Sequence, residues 1–133
     1  MRAQVRTLPY RFVGGTCEVL LVTSRRRGKW ILPKGKIEAG ETASERAAAE
    51  AFEEGGVIGH IAERPLFAGN PADLSRPAVF PLEVVEERAA WPEMGERQRA
   101  WLPLADARNR LRSGGLRQAL DALVAHLECE RRS

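Results

Sequence analysis

Residues Gly35–Val57 read GKIEAGETASERAAAEAFEEGGV, and the architecture turns on this stretch. Thr42-Ala43-Ser44-Glu45 has capping-box spacing: the Thr42 hydroxyl can accept from the Glu45 N–H while the Glu45 carboxylate reaches back. Arg46 to Glu54 are good helix formers, and Gly55-Gly56 is a natural stop. A helix is therefore expected from the Thr42 cap to Glu54. At about 100° per residue, Arg46, Glu50, Glu53 and Glu54 share one side. Ala47, Ala48, Ala51 and Phe52 take the other, which is expected to pack on a sheet.

Glu50, Glu53 and Glu54 stand at i, i+3 and i+4. Like charges at these spacings cost a helix roughly 0.2–0.5 kcal/mol per pair. They also lie at the C-terminal end, where the helix dipole disfavours negative charge. An acidic end exposed to water is one reading. A divalent cation is the other, because it would offset both penalties, and clustered hard oxygen ligands suit Mg²⁺ or Mn²⁺. Gly35 and Gly40 punctuate the loop ahead of the cap, where glycine lets the backbone approach a ligand and frees carbonyls for a metal shell.

From Gly35 to Val57 the chain resembles the box of the Nudix hydrolases. That box has a glycine, five residues, a glutamate, seven residues, then Arg-Glu-apolar-x-Glu-Glu-x-Gly-apolar. The glycine is Gly35, the glutamate Glu41, and the tail runs from Ala49 to Val57. Every defining position matches except Ala49, where arginine is usual. The resemblance implies an α/β fold, the Nudix-type α/β/α sandwich around a mixed β-sheet. It also implies hydrolysis of a phosphoanhydride with Mg²⁺ or Mn²⁺. Glu50 and Glu54 would be carboxylate ligands of the metal, and Glu53 a further ligand or the base that activates water. The carbonyl near Gly35 (its own or that of Lys34) would complete the shell, and Glu41 would hold the loop. Attack on phosphorus needs charge neutralised on the non-bridging oxygens and a nucleophilic water, which fits clustered metal ions.

In the family the box arginine is read as a brace for a box carboxylate. Arg46 lies one turn before Glu50 on the same face and could take over part of that role. The alternative reading of Ala49 is a Nudix fold that binds metal or ligand with little turnover.

The flanks, Trp30-Ile31-Leu32-Pro33-Lys34-Gly35 and Trp91-Pro92-Glu93 to Arg97-Gln98-Arg99-Ala100-Trp101, resemble one branch of the family. That branch holds diphosphoinositol polyphosphate phosphohydrolases and diadenosine polyphosphate hydrolases. Charge agrees: Ile37–Val57 carries six Glu and one Arg, or −5, so a net charge of +3 leaves +8 outside it. A basic shell around an acidic knot suits a polyanionic ligand. Candidate phosphate contacts are Ser24, Arg25, Arg26, Lys34, Arg76, Arg97 and Arg99, with a solvated surface role the alternative for each arginine. Arg97 and Arg99 alternate along an expected strand and would share one face. ADP-ribose, a sugar nucleotide or an oxidised nucleotide are the alternative substrates.

The 133 residues suit one domain, 1–133. Expected strands are Arg2–Val13 (an edge, because of Pro9), Cys17–Thr23 (buried), Val57–Phe67, Pro77–Val85 (bulged or at an edge, because of Pro81) and Glu96–Leu102. Helices are expected at Leu104–Leu111 and Leu116–Leu127. No apolar run approaches the roughly 20 residues of a membrane span, and no signal-peptide pattern opens the chain. Cys17 and Cys129 lack metal spacing and are too few for a disulfide scaffold, so a reduced cytoplasm is expected. No nucleic-acid-binding signature is present, so the expected partner is a polyphosphorylated small molecule, with the chain a monomer or homodimer.

Overall fold

The computed structural model describes residues 3–66, 77–111 and 114–131. Seven strands and three helices follow in the order β1 (Gln4–Val13), β2 (Thr16–Thr23), β3 (Trp30–Ile31), β4 (Lys34–Lys36), α1 (Ala43–Gly55), β5 (Val57–Ile61), β6 (Ala78–Glu87), β7 (Arg99–Pro103), α2 (Leu104–Arg110) and α3 (Gly114–Arg131). The strands form one mixed sheet in the order β3-β2-β1-β6-β5, with β4 paired to β1 and β7 to β2. Only β1 and β6 run parallel; every other pairing is antiparallel.

Helices cover both faces, which makes the expected α/β/α sandwich. Alternation along β2 shows it directly. Val19 and Leu21 join a core with Ala107, Leu111, Leu120 and Leu123 of the α2–α3 segment, while Leu20 packs with Ala51 of α1. With apolar cover on both sides, Val19-Leu20-Leu21-Val22 can be apolar without interruption.

β1 is central rather than an edge. It changes neighbour part-way, pairing with β2 through Tyr10–Val13 and with β4 through Gln4–Arg6. Thr7 N–H reaches the Pro33 carbonyl at 2.9 Å, so the odd residues turn their N–H groups toward this side. Pro9 therefore falls where β1 passes from one neighbour to the other, and no ladder bond is lost. β6 is also internal. Its Pro81 carbonyl accepts from Ala62 at 3.0 Å, just past the end of β5. The expected bulge is present but lies at Val85, because Ile58 pairs with Glu86 and Gly59 with Val84. β5 stops at Ile61, short of the expected Phe67, and Phe67 itself lies outside the described residues. β7 begins at Arg99, so Arg97 precedes the strand; α3 starts at Gly114, two residues before the expected start. Among the described residues no helix is long and apolar enough to cross a membrane.

α1 starts as expected. Thr42 Oγ1 accepts from Glu45 N–H at 3.1 Å and Glu45 Oε1 from Thr42 N–H at 2.9 Å. It ends on Gly56 at φ +69°, the left-handed conformation that glycine adopts without a Cβ penalty. Ala47, Ala51 and Gly55, at i, i+4 and i+8, form the buried stripe on the sheet, whereas Ala48 and Phe52 are only half-buried. A Cβ on Gly55 would lie 2.6 Å from Leu20 Cδ2. Small residues thus set how close the helix lies to β2.

Thr42→Ala removes the hydroxyl that accepts from Glu45 N–H, leaves the backbone bond from residue 42 to the Glu45 carboxylate, and should lower the free energy of urea unfolding by about 1 kcal/mol. An unchanged midpoint would mean that the cap does not hold the start of α1.

Candidate active site

A second stripe runs along α1 beside the small one. Arg46, Glu50 and Glu54, at i, i+4 and i+8, are all buried, while the Glu53 side chain is 40% exposed. The expected charged side of the helix therefore faces protein, apart from Glu53.

Glu50 lies against β4. A Cβ built on Gly35 would stand 2.1 Å from Glu50 Oε1 and 2.3 Å from its Cδ. Glycine is needed here for close approach, and the Glu50 carboxylate occupies the space a side chain would take. Next to it, Glu54 Oε1 accepts from Lys34 N–H at 3.2 Å, and the two carboxyl groups hydrogen-bond to one another. Burial pushes the Glu50 carboxyl up to about 8; the bond to Glu54 and the charges of Glu54 and Glu53 add to this, while Arg46 opposes it. Burial also raises Glu54, against the pull of Arg97.

Two arginines hold this pair. Arg46 Nε is 3.4 Å from Glu50 Oε1, and Arg46 Nη2 donates to Glu53 Oε2 at 3.2 Å. From the other side, Arg97 donates to Glu54 Oε2 at 3.2 Å, to Glu93 Oε1 at 2.8 Å and to the Thr23 carbonyl at 2.9 Å. The last carbonyls of α1, which have no partner within a helix, are met by one segment. Glu53 O accepts from Glu93 N–H at 3.0 Å, Glu54 O from Trp91 Nε1 at 3.0 Å, Gly55 O from Arg99 Nη1 at 3.1 Å, and Gly56 O from Arg88 N–H at 2.8 Å. The Arg99 guanidinium also stacks 3.9 Å above the Trp91 ring.

The donor chemistry suits a hard divalent ion. Two buried carboxyl groups share a proton, and the backbone of Lys34 and Gly35 adjoins them. Without a cation, burial favours the protonated form of such a pair. Among the described residues no three His, Cys, Asp or Glu side chains form a ready metal-binding group, and Glu53 is paired with Arg46.

The other expected residues divide. Ser24, Arg25 and Arg97 border a cleft of about 380 Å³ between the β2–β3 loop and residues 94–98. Arg25 pairs there with Glu93 and Glu96 at 2.9 and 3.2 Å. Arg26 is exposed in the same loop, and Arg99 is committed to the helix end. Lys34 is exposed beside Gly35, and Arg76 lies outside the described residues.

Two residues went unread from sequence. Glu93 links Arg25 and Arg97 at the cleft, across separations of 68 and 4 residues; its flank drew notice only through the Trp91-Pro92-Glu93 motif. Arg6 lies opposite Lys34 on the sheet face away from α1, its Nε is buried without a hydrogen-bond partner, and burial lowers its pKa. An arginine between the β-formers Val5 and Thr7 was the available signal.

A model of the NUDIX domain matches residues 3–123. The chain belongs to the Nudix hydrolase family. Nudix hydrolase 17, mitochondrial, from Arabidopsis thaliana is 34% identical over 138 residues, covering 95% of this chain and 75% of that relative. Diphosphoinositol polyphosphate phosphohydrolase 3-alpha of Mus musculus is 36% identical over 94 residues, covering 68% of this chain and 57% of that protein. In three dimensions, a C. elegans Ap4A hydrolase binary complex superposes with a TM-score of 0.71 at 22% identity, over 96% of this chain and 98% of the other. The Nudix domain of Shewanella oneidensis NrtR complexed with ADP ribose gives 0.68 at 19%, over 96% and 88%. These likenesses bear out the family and the fold, and with them an enzyme that hydrolyses pyrophosphate bonds.

In this Nudix hydrolase a side chain at position 35 must displace the Glu50 carboxylate. Gly35→Ala should therefore keep a near-native unfolding midpoint yet lose about 100-fold in kcat, as expected for misplacement of a reacting group by about 1 Å. Wild-type turnover would show that Glu50 need not rest on the Gly35 backbone.

Proposed function

We propose that this Nudix hydrolase is a divalent-metal-dependent pyrophosphohydrolase, using Mg²⁺ or Mn²⁺, that acts on a densely polyphosphorylated small molecule. A diadenosine polyphosphate or a diphosphoinositol polyphosphate is the favoured class. The observation that carries the metal reading is the buried Glu50–Glu54 pair on Gly35. Its burial and mutual bond are costly for two acids unless a proton or a cation lies between them.

Glu50, Glu54 and the carbonyl of Gly35 or Lys34 would hold the ion. Bound there, it would supply charge neutralisation at the phosphoryl oxygens and acidify a water. Glu53 is the carboxylate of the three that reaches solvent, so it is placed to accept the proton of the attacking water. Arg97 keeps Glu54 oriented by a charge-assisted bond.

Substrate class is supported by cation placement. Ser24 and Arg25 border the cleft together with Arg97, which bonds Glu54, and Arg26 is exposed in the same loop. Arg6 and Lys34 are directly paired across the β1–β4 ladder, as are Gln4 and Lys36, so these side chains share the sheet face opposite the one on which Glu50 meets Gly35. Arg6 has no ion pair among the described residues, unlike Arg46 and Arg97. The mouse diphosphoinositol polyphosphate phosphohydrolase and the C. elegans Ap4A hydrolase, to which the chain is similar, belong to the same class. Residues 1–133 are taken as one domain, acting as a monomer or homodimer. The free Cys17 thiol fits a reducing cytoplasm.

A hydrolysis panel with Mg²⁺ and with Mn²⁺, its products separated by ion-exchange chromatography, tests this. Wild type should split diadenosine polyphosphates into two nucleotides, and diphosphoinositol polyphosphates into an inositol polyphosphate and orthophosphate, faster than it splits ADP-ribose or a sugar nucleotide. Glu53→Gln and Glu54→Gln should each lose on the order of 10²–10⁴-fold in kcat, the range of a general base. Equal background release from all three proteins on every substrate would refute the reading.

A further inference from the structure

We propose that Arg46 is the positioning residue that fixes Glu50 for metal binding, and that it does so in place of an arginine at position 49. The inference rests on the metal-dependent reading above. Each part of the Arg46 guanidinium meets a different carboxylate. Nε faces Glu50 Oε1 at 3.4 Å, Nη2 meets Glu53 Oε2 at 3.2 Å, and Nη1 lies 3.6 Å from Glu41 Oε2 and 3.7 Å from Glu38 Oε1. Its side chain is 8% exposed, so the attractions are weakly screened. One fork therefore ties the loop before the helix, through Glu38 and Glu41, to both Glu50 and Glu53. Among the described residues no other cation forms an ion pair with Glu50, and Ala49 has only a methyl group to offer.

The geometry is also permissive. Arg46 Nε makes no hydrogen bond, so its hold on Glu50 is an electrostatic attraction and not a directed bond. Positions 46 and 49 are one helical turn apart on neighbouring rows. A long side chain starting from either could reach the same carboxylates.

The test uses the full chain and four variants: Arg46→Ala, Arg46→Lys, Ala49→Arg, and Arg46→Ala with Ala49→Arg. Folding is followed by circular dichroism, Mn²⁺ affinity by paramagnetic resonance, and kcat and KM separately. Arg46→Ala should weaken Mn²⁺ binding by about 10–100-fold, the range for loss of a residue that orients a metal ligand. Its kcat should fall with KM little changed. Adding Ala49→Arg should recover most of the affinity, and Ala49→Arg alone should leave the rate unchanged or raised.

Folded Arg46→Ala with wild-type Mn²⁺ affinity would overturn the proposal. So would a folded double variant no better than Arg46→Ala, or a large fall in rate from Ala49→Arg alone. Should Arg46→Ala fail to fold, Arg46→Lys decides. A lysine has one charged point and cannot span the carboxylates, so weakened Mn²⁺ binding there supports the brace and wild-type binding overturns it. Failure of the wild-type protein to bind Mn²⁺ at all would sink the metal reading, and this inference with it. Binding retained in Arg46→Ala would sink this inference alone.

Discussion

Two carboxylates one helical turn apart, Glu50 and Glu54, are buried together against the backbone of Lys34 and Gly35. Isolated, such a pair would be among the least favourable arrangements a small protein could hold, because burial and mutual repulsion act in the same direction. Arg46 and Arg97 flank the pair, one on each carboxylate. Much of the surrounding fold can be understood as what keeps these four side chains in register. The Ala47-Ala51-Gly55 stripe brings the helix down onto β2, β4 carries the glycine on which Glu50 rests, and the segment from Arg88 to Arg99 closes the helix end.

That helix end corrects the simplest electrostatic argument. Glutamates at the C-terminus of α1 oppose the helix dipole, and α1 has no basic residue in its last turn. Compensation comes from outside the helix. Arg97 meets Glu54, and Arg99 donates to the Gly55 carbonyl while stacking on Trp91. The acidic pattern therefore does not by itself require a metal ion. What points to one is the pairing of two buried acids on a glycine, together with the family to which the chain belongs. The same bonds join helix end to cleft, since Arg97 borders the cleft and contacts Glu54.

Local chemistry was legible in the sequence wherever it depends on residues close in the chain. The Thr42–Glu45 box, the Gly56 stop, the buried β2 and the acidic motif of α1 all follow from short-range spacing. Strand order did not. Pro9 argues for an edge strand and Pro81 for a bulge or an edge by the usual rule; both strands are internal and β6 carries a bulge, and each proline falls where a ladder ends or changes partner. That depends on which strands meet, and no local pattern carries it. The roles of Arg97, Arg99, Trp91 and Glu93 were hidden for the same reason: the bonds from Arg97, Trp91 and Arg99 to the end of α1 span 37 to 44 residues. The charge count foretold cations around an acidic helix, but two of the arginines read as phosphate contacts, Arg97 and Arg99, are engaged with α1 itself.

The central claim is that Glu50, Glu54 and the adjoining backbone form a divalent-ion site. Anomalous diffraction from crystals soaked in Mn²⁺ addresses it without recourse to turnover. The account requires an anomalous peak within coordination distance of Glu50, Glu54 and the carbonyl of Gly35 or Lys34. A fully occupied Mn²⁺ bound elsewhere, with Glu50 and Glu54 still bonded to each other, would contradict it.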